Sequence, residues 1–224
     1  MHFTLEKLRE QLEACLHEAE LEEKPARIKI LVERISGGRY RPDSNQIQYT
    51  ISAEAIANSS YPKFESKYEV ELFKDHKVVP GLLSTLKTTN KLVNILGSIF
   101  AEENGFQNCL LVNTDKNVVE ALQGNLFLVK GDKIKTPPLS DGCLRGIIRS
   151  QLLEILSKQT TYAIEEASIS PFELQKADEL FITNTHVGIQ PITKYRKKMY
   201  AQEIAGRLQS QLVLKANQSL MDTV

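Results

Sequence analysis

The sequence has no tryptophan, only three cysteines and no excess of charge of either sign. Cys15, Cys109 and Cys143 lack the spacing of a metal site, and we therefore expect no metal centre. Each lies in an apolar neighbourhood, which predicts buried thiols in a reducing, cytoplasmic compartment. The 28 basic and 28 acidic residues balance, so no overall field favours nucleic acid or an anionic membrane as a partner.

Long apolar runs are also missing. No stretch approaches the roughly 20 apolar residues of a membrane-spanning helix. The charged start over residues 1–12 differs from a secretory signal peptide. With 42% hydrophobic and 25% charged residues in a chain of 224, the composition predicts one sizeable globular domain or two small ones.

A helix and two strands are expected near the N-terminus. The helix has an apolar face over residues 5–16. Apolar and polar residues then alternate over residues 28–32 and 47–51, as in half-buried strands. The polar, turn-rich residues 58–62 follow and predict a linker. We therefore predict a small domain over residues 1–57, a linker over 58–62 and a larger domain over 63–224.

The most informative stretch runs from residue 82 to residue 127. Lys87 follows a leucine-rich turn and precedes Thr88-Thr89-Asn90, whose side chains can cap a helix. The helix that follows is predicted from one apolar face, which consists of Leu92, Ile95, Leu96, Ile99 and Phe100. A hairpin over residues 109–119 comes next, so Glu120 ends a strand. Taken alone, each of the two charged residues is more often a surface group.

Further elements follow in the second half of the chain. Residues 126–135 predict another hairpin. Residues 144–149 enter a helix, and a helix entrance has free backbone donors that can hold a phosphate. A capping box over residues 170–173 predicts a further helix. The basic run 194–198 predicts a solvated helix entrance, and the final amphipathic helix is predicted from Tyr200, Ile204, Leu208 and Leu212.

Four segments occur in an order that is typical of one enzyme family. They are Lys-x-x-Asn-x-Leu from Lys87, Glu-x-x-x-x-Asn-Leu-Phe from Glu120, Thr136-Pro137-Pro138, and Leu144-x-Gly-Ile-x-Arg149. Together they resemble the class IV aminotransferases, which are pyridoxal phosphate enzymes of fold type IV, over nearly the whole chain. The resemblance implies an α/β (α+β) fold, with a truncated small α/β domain and a larger pseudo-barrel domain that binds pyridoxal 5'-phosphate.

The resemblance also implies that Lys87 is the Schiff-base lysine and that Glu120 is the partner of the pyridine nitrogen. An aldehyde cofactor needs an amine that can become neutral, and burial or neighbouring charge readily makes a lysine neutral. The freed amine can then move a proton at the substrate α-carbon. A carboxylate beside the ring nitrogen favours the protonated ring, which is a better electron sink.

Four more positions are implied to bind the cofactor. Leu144 packs against the ring, and the backbone amides of Ile147 and Ile148 bind the phosphate. Thr185 adds its hydroxyl to the same phosphate.

Family members usually begin with several dozen further residues, and one of these is an arginine that binds the phosphate. The first predicted helix of this sequence starts at once. Arg27, Arg39 and Arg41 match other parts of the family, so we assign none of them to that role.

Three functions are compatible with the resemblance. The leading one is a homodimeric transaminase that exchanges an amino group between an amino acid, of branched-chain or D-amino-acid type, and a 2-oxo acid. The second is aminodeoxychorismate lyase, which forms 4-aminobenzoate and pyruvate. The ungapped Lys-Thr-Thr-Asn-Lys-Leu is similar to D-amino-acid transaminases and to these lyases, whereas branched-chain enzymes carry a tyrosine shortly after the lysine. The third is a truncated, non-catalytic relative.

Overall fold

A computed structural model describes residues 4–35, 37–57 and 59–221, and the side chains up to residue 218. Residues 1–3 and Ser36 of the predicted small domain, Asn58 of the predicted linker and residues 222–224 of the predicted large domain lie outside the described residues. By its contacts the chain divides into two compact units, Met1–Pro62 and Lys63–Val224. The predicted linker therefore lies at the end of the first unit.

The first unit consists of one helix and a two-stranded sheet. Helix α1 (Leu5–Glu18) begins at Thr4, whose side chain accepts a hydrogen bond from the Lys7 amide. Strands β1 (Ala26–Arg34) and β2 (Ile47–Ala55) pair antiparallel, which confirms the two predicted strands. The apolar face predicted for this helix stays at least partly exposed, because α1 has no buried residue. Apolar residues of β1 also stay exposed: Ile28 38%, Ile30 42% and Val32 45%.

The second unit contains the remaining helices and strands. Along the chain they are β3 (Glu69–Val78), α2 (Leu92–Glu103), β4 (Asn108–Asn113), β5 (Val118–Ala121), β6 (Gly124–Lys130), β7 (Lys133–Thr136), α3 (Ile147–Ser157), β8 (Ala163–Glu166), α4 (Pro171–Lys176), β9 (Glu179–Asn184), β10 (Gly188–Ile192), β11 (Lys194–Tyr195), β12 (Lys198–Met199) and α5 (Glu203–Met221). Both predicted hairpins, β4–β5 and β6–β7, are confirmed. The capping box at Ser170 is confirmed as well.

A mixed ten-stranded sheet organises this unit. Its main path runs β10-β9-β6-β5-β4-β3-β11-β12, and β7 joins β6 to β8. The β3–β4 and β3–β11 pairs are parallel, whereas the pairs from β4 to β10 are antiparallel. The mixed α/β architecture confirms the predicted fold class.

The two faces of the central strands pack against different partners, because side chains alternate along a strand. One face belongs to the larger core cluster, to which Leu72, Leu110 and Leu126 contribute. The other face carries Phe73, Cys109 and Leu111, which pack against apolar residues of α2 such as Leu96 and Phe100. Helix α2 therefore covers the face of β4 from which Leu111 projects.

The predicted start of α2 is wrong in detail. Thr88, Thr89 and Asn90 lie before the helix, whose first flanking residue is Lys91, and no side chain caps it. The amide of Thr88 instead bonds to the carbonyl of Leu86 at 3.0 Å, which turns the chain before the helix can begin.

The predicted apolar face of α2 is also only partly buried. Leu96 and Phe100 pack on the sheet, whereas Leu92, Ile95 and Ile99 are 63%, 56% and 46% exposed. These three residues share one side of the helix, since they are spaced at i, i+3 and i+7. We call them the α2 apolar strip.

The predicted helix entrance over residues 194–198 is wrong, because these residues form the β11–β12 hairpin. Lys194 pairs in parallel with Glu69 of β3, and its Nζ lies 2.6 Å from the Glu69 Oε1. Tyr195 is fully buried in the core. Sheet pairing with a distant strand therefore overrides the local charge pattern.

The last predicted helix is confirmed from Glu203 onward, but Tyr200 precedes it. The Tyr200 hydroxyl donates to the Leu174 carbonyl at 2.7 Å. Over the described residues, no helix is both long enough and apolar enough to cross a bilayer.

Candidate active site

A row of three buried polar residues crosses the sheet. Glu120 of β5 lies opposite Asn125 of β6, and Asn125 lies opposite Thr183 of β9. Residues directly opposite each other on antiparallel strands project from the same face. Glu120 is also paired with Leu111, so this is the face that α2 covers. The exposed fractions of Glu120, Asn125 and Thr183 are 8%, 3% and 2%, so the row is largely withdrawn from bulk water.

The segment 144–146 lies directly on this row. The Leu144 amide donates to the Glu120 Oε2 at 2.8 Å. The Leu144 carbonyl accepts from the Asn125 Nδ2 at 2.7 Å. Both bonds fix the backbone of Leu144, which the resemblance implies as the residue against the cofactor ring.

The ionisation of Glu120 reflects competing influences. Burial raises the pKa of the carboxyl to about 7, because the charged form loses hydration. The hydrogen bond from the Leu144 amide, then the positive charges of Lys91 and Lys87, act in the opposite direction and lower this pKa. A carboxyl in this state can exchange a proton near neutral pH.

The segment that carries Lys87 is attached to the segment that carries Leu144. The Arg145 amide donates to the Thr85 carbonyl at 3.2 Å. Gly142 has a left-handed φ of 102° and packs closely against Pro80 and the Ser84 side chain, a place that only glycine fills without strain. Lys87 itself is exposed, and its charge reaches Glu120. The structure therefore brings the two predicted residues to one region of the second unit.

The amino-terminal end of α3 has unused hydrogen-bond donors. Gly146 precedes the helix, and no side chain caps it. Within the described ranges, no acceptor is bonded to the backbone amides of Ile147 and Ile148. The Ile148 side chain is buried, whereas that of Ile147 is 66% exposed. A helix start of this kind can bind an anion.

The turn between β9 and β10 contributes the last predicted residue. Thr185 is exposed in this turn. The Asn184 Oδ1 holds the turn by accepting from the amides of His186 and Val187 at 2.9 and 3.0 Å. Thr183, two residues earlier, has a buried hydroxyl for which no partner exists among the residues that the structure describes.

Sequence reasoning missed three residues of this region: Lys91, Asn125 and Thr183. Asn125 belongs to a motif of the resemblance, yet nothing local indicates its partners. Thr183 carried no signal, since its place beside Asn125 depends on the pairing of β6 with β9. In the described parts of the chain, no cluster of three His, Cys, Asp or Glu side chains is arranged to hold a metal ion.

Most of the chain matches a known protein family. The sequence profile of the amino-transferase class IV family matches residues 1–195. The chain belongs to the class IV aminotransferase family.

The relatives of this chain in the class IV aminotransferase family include proteins named as lyases and proteins named as aminotransferases. The chain is 27% identical to an aminodeoxychorismate lyase from Vibrio harveyi, over 78% of this chain and 65% of that protein. It is 29% identical to a probable branched-chain-amino-acid aminotransferase from Thermotoga maritima, over 77% of this chain and 60% of that protein. The chain thus spans less than two thirds of the length of either relative.

Solved structures of class IV aminotransferases share the fold. A branched-chain amino acid aminotransferase from Escherichia coli matches 95% of this chain and 71% of its own, with a TM-score of 0.82 and 21% identity. At this identity the likeness establishes the fold alone, and it agrees with the predicted fold type IV.

Proposed function

We propose that this chain forms a pyridoxal phosphate enzyme that transfers an amino group between an amino acid and a 2-oxo acid, with Lys87 as its catalytic residue. The observation that carries the proposal is the Glu120 carboxyl, which is buried, bonded to the Leu144 amide and influenced by the charge of Lys87. The cofactor requires a lysine at its aldehyde and a carboxyl at its ring nitrogen, and the two residues can supply these groups.

The residues present fit the cofactor. A phosphate needs hydrogen-bond donors, and the amides of Ile147 and Ile148 have no other acceptor among the described residues. The partnerless hydroxyl of Thr183 lies in the same polar row as Glu120, and Thr185 follows it in the adjoining turn. These groups would hold the phosphate, Leu144 would pack on the ring, and Glu120 would face the ring nitrogen.

Each residue has a distinct task in the reaction. When bound, the cofactor supplies a ring that accepts the electrons released from the substrate α-carbon. Glu120 holds a proton at the ring nitrogen. Lys87 would move a proton between the substrate α-carbon and the aldehyde carbon of the cofactor. Because burial excludes water from Glu120, its charge acts more strongly than it would in solution.

The test of this proposal is covalent capture. The purified protein is loaded with pyridoxal phosphate, reduced with borohydride and digested, and the labelled peptide is identified by mass spectrometry. We expect the label on Lys87 and amino-group transfer from an amino acid to 2-oxoglutarate. Lys87→Ala should lose both, whereas the exposed control Lys74→Ala should keep both. Label on another lysine, or equal labelling of the Lys87→Ala protein, would refute the proposal.

A second candidate is aminodeoxychorismate lyase. It is favoured by the Vibrio harveyi relative and by the ungapped Lys-Thr-Thr-Asn after position 87. Pyruvate release from aminodeoxychorismate without any 2-oxo acid acceptor separates the lyase from the transaminase. The non-catalytic alternative is excluded if either reaction depends on Lys87.

We further propose that the enzyme is a homodimer. The support is the α2 apolar strip, whose three residues are exposed on one side of the helix. Apolar residues grouped in this way usually mark an interaction surface. A second copy of the chain is the occupant we propose.

A further inference from the structure

Asn125 directs both ends of its side-chain amide at one short segment of backbone. Its Nδ2 donates to the Leu144 carbonyl at 2.7 Å. Its Oδ1 lies against Gly146, at the place that a Cβ on residue 146 would occupy. Gly146 has φ −72° and ψ 143°, values that any residue adopts. Glycine is therefore needed here to make room for the Asn125 amide, rather than for its backbone freedom.

The segment that Asn125 contacts joins two groups that the proposed function assigns to opposite ends of the cofactor. At one end, the Leu144 amide holds the Glu120 carboxylate. At the other end, Gly146 precedes α3, whose first amides are the proposed phosphate donors. A single residue, Arg145, separates them. A shift of this segment would therefore move both groups at once.

Asn125 is well suited to prevent such a shift. It is 3% exposed and lies within the sheet, paired with Glu120 on one side and Thr183 on the other. The donor reaches a backbone carbonyl, which no change of side chain at residue 144 can remove. Only an amide of this length offers a donor to Leu144 and an oxygen against Gly146 together.

We propose that Asn125 is a positioning residue, which fixes the distance between the Glu120 carboxyl and the start of α3 through its contacts with Leu144 and Gly146. This inference rests on the proposed function, because it assigns the cofactor to these two ends. Asn125 acts through its neighbours and is not a catalytic residue.

The main test compares Asn125→Ala with Asn108→Ala. Asn108 is an equally buried amide of the same sheet, but it bonds to the Tyr68 hydroxyl and to the Leu122 amide. We expect Asn125→Ala to weaken pyridoxal phosphate binding by about tenfold and to shift the pH midpoint of the bound cofactor's visible absorbance. Asn108→Ala should leave the affinity and that midpoint unchanged.

A second variant approaches the contact from the other side. Gly146→Ala pushes the Asn125 amide away, so it should reproduce the loss of affinity and the shifted midpoint. In the double variant Gly146→Ala/Asn125→Ala the new methyl group has room, and its added effect should be smaller than in the parent. This variant also tests the inference if Asn125→Ala does not fold.

A readout without cofactor separates this inference from the proposed function. In the cofactor-free protein, the carboxyl carbon of Glu120 is titrated by NMR. We expect the midpoint to rise in Asn125→Ala, because the Leu144 amide is then held less firmly, and to stay unchanged in Asn108→Ala. If Lys87 captures no cofactor but this midpoint moves, only the cofactor role fails. If neither the midpoint nor the affinity moves in Asn125→Ala and Gly146→Ala, Asn125 does not position this segment.

Discussion

At the scale of single residues, Glu120 gives the second unit a pH-dependent stability. Its pKa is raised to about 7 in the folded protein, mainly by burial, against an ordinary value of 4.5. The folded state therefore binds more protons than the unfolded state between these values, and stability falls as the pH rises through this window. A difference of one pKa unit corresponds to about 1.4 kcal/mol, so the unfolding free energy falls by about 3 kcal/mol across this window.

We predict that the Glu120→Gln variant lacks this loss. Glutamine keeps an acceptor for the Leu144 amide but has no charge to bury. Urea unfolding of the cofactor-free protein, followed from pH 4 to pH 8, should show the unfolding free energy of the parent falling by about 3 kcal/mol relative to the variant. Glu103→Gln changes an exposed carboxyl on α2 and serves as the control. Parallel curves for the parent and Glu120→Gln would contradict the prediction.

How well single residues could be predicted depended on where their partners lie in the chain. Lys87 and Glu120 stand in motifs that can be read along the sequence, and their catalytic roles stay predictions. The bond of Asn125 to Leu144 joins segments that lie 19 residues apart, and the position of Thr183 depends on how β6 pairs with β9. Such cross-strand register is set by contacts between distant segments, for which a single sequence carries little signal.

At the scale of elements, helices and hairpins were predictable where local periodicity and turn residues agreed with the final packing. The β4–β5 and β6–β7 hairpins and the core of α3 are examples. Residues 194–198 have the charge pattern of an exposed helix, yet they pair with β3 and bury Tyr195. The start of α2 and the exposure of its apolar strip were mispredicted for a related reason. Helix propensity and periodicity do not show which side of a helix packs against the rest of the protein.

The start of α5 shows how a distant strand can set the end of a helix. Glu179 of β9, which is 3% exposed, accepts from the amides of Ile204 and Ala205 at 2.9 and 3.0 Å. Amides in the first turn have no acceptor within the helix itself, so Glu179 supplies one. A carboxylate at this end also interacts favourably with the helix dipole.

We predict that Glu179→Ala lowers the unfolding free energy by about 2 kcal/mol, because one buried and one partly buried amide lose a charged acceptor. Denaturant unfolding measures the loss, and hydrogen exchange should show faster exchange of the Ile204 and Ala205 amides. Glu203→Ala removes an exposed carboxylate from the same turn and should change the unfolding free energy far less. Equal losses in the two variants would show that the Glu179 bonds do not stabilise the start of α5.

At the scale of the whole molecule, the second unit contains every residue of the candidate site. The general architecture followed from the resemblance, because a fold is shared across a family even where individual contacts differ. What a single chain leaves exposed is informative too. Large apolar side chains are exposed to solvent at two places, on β1 (Ile28, Ile30 and Val32) and in the α2 apolar strip. Such exposure is unfavourable unless another surface covers these side chains.

The α2 apolar strip is the surface through which we expect two copies of the chain to associate. If a second copy covers Leu92, Ile95 and Ile99, a charge at the centre of the strip must be desolvated without a partner. Ile95→Glu should therefore convert a dimer into a monomer, measured by light scattering over a concentration series. Leu214→Glu places the same charge on an exposed site of α5, where Leu214 is 62% exposed, and should leave the dimer intact. A parent protein that is monomeric throughout the series, or an Ile95→Glu variant that still dimerises, would show that the strip is not the contact between subunits.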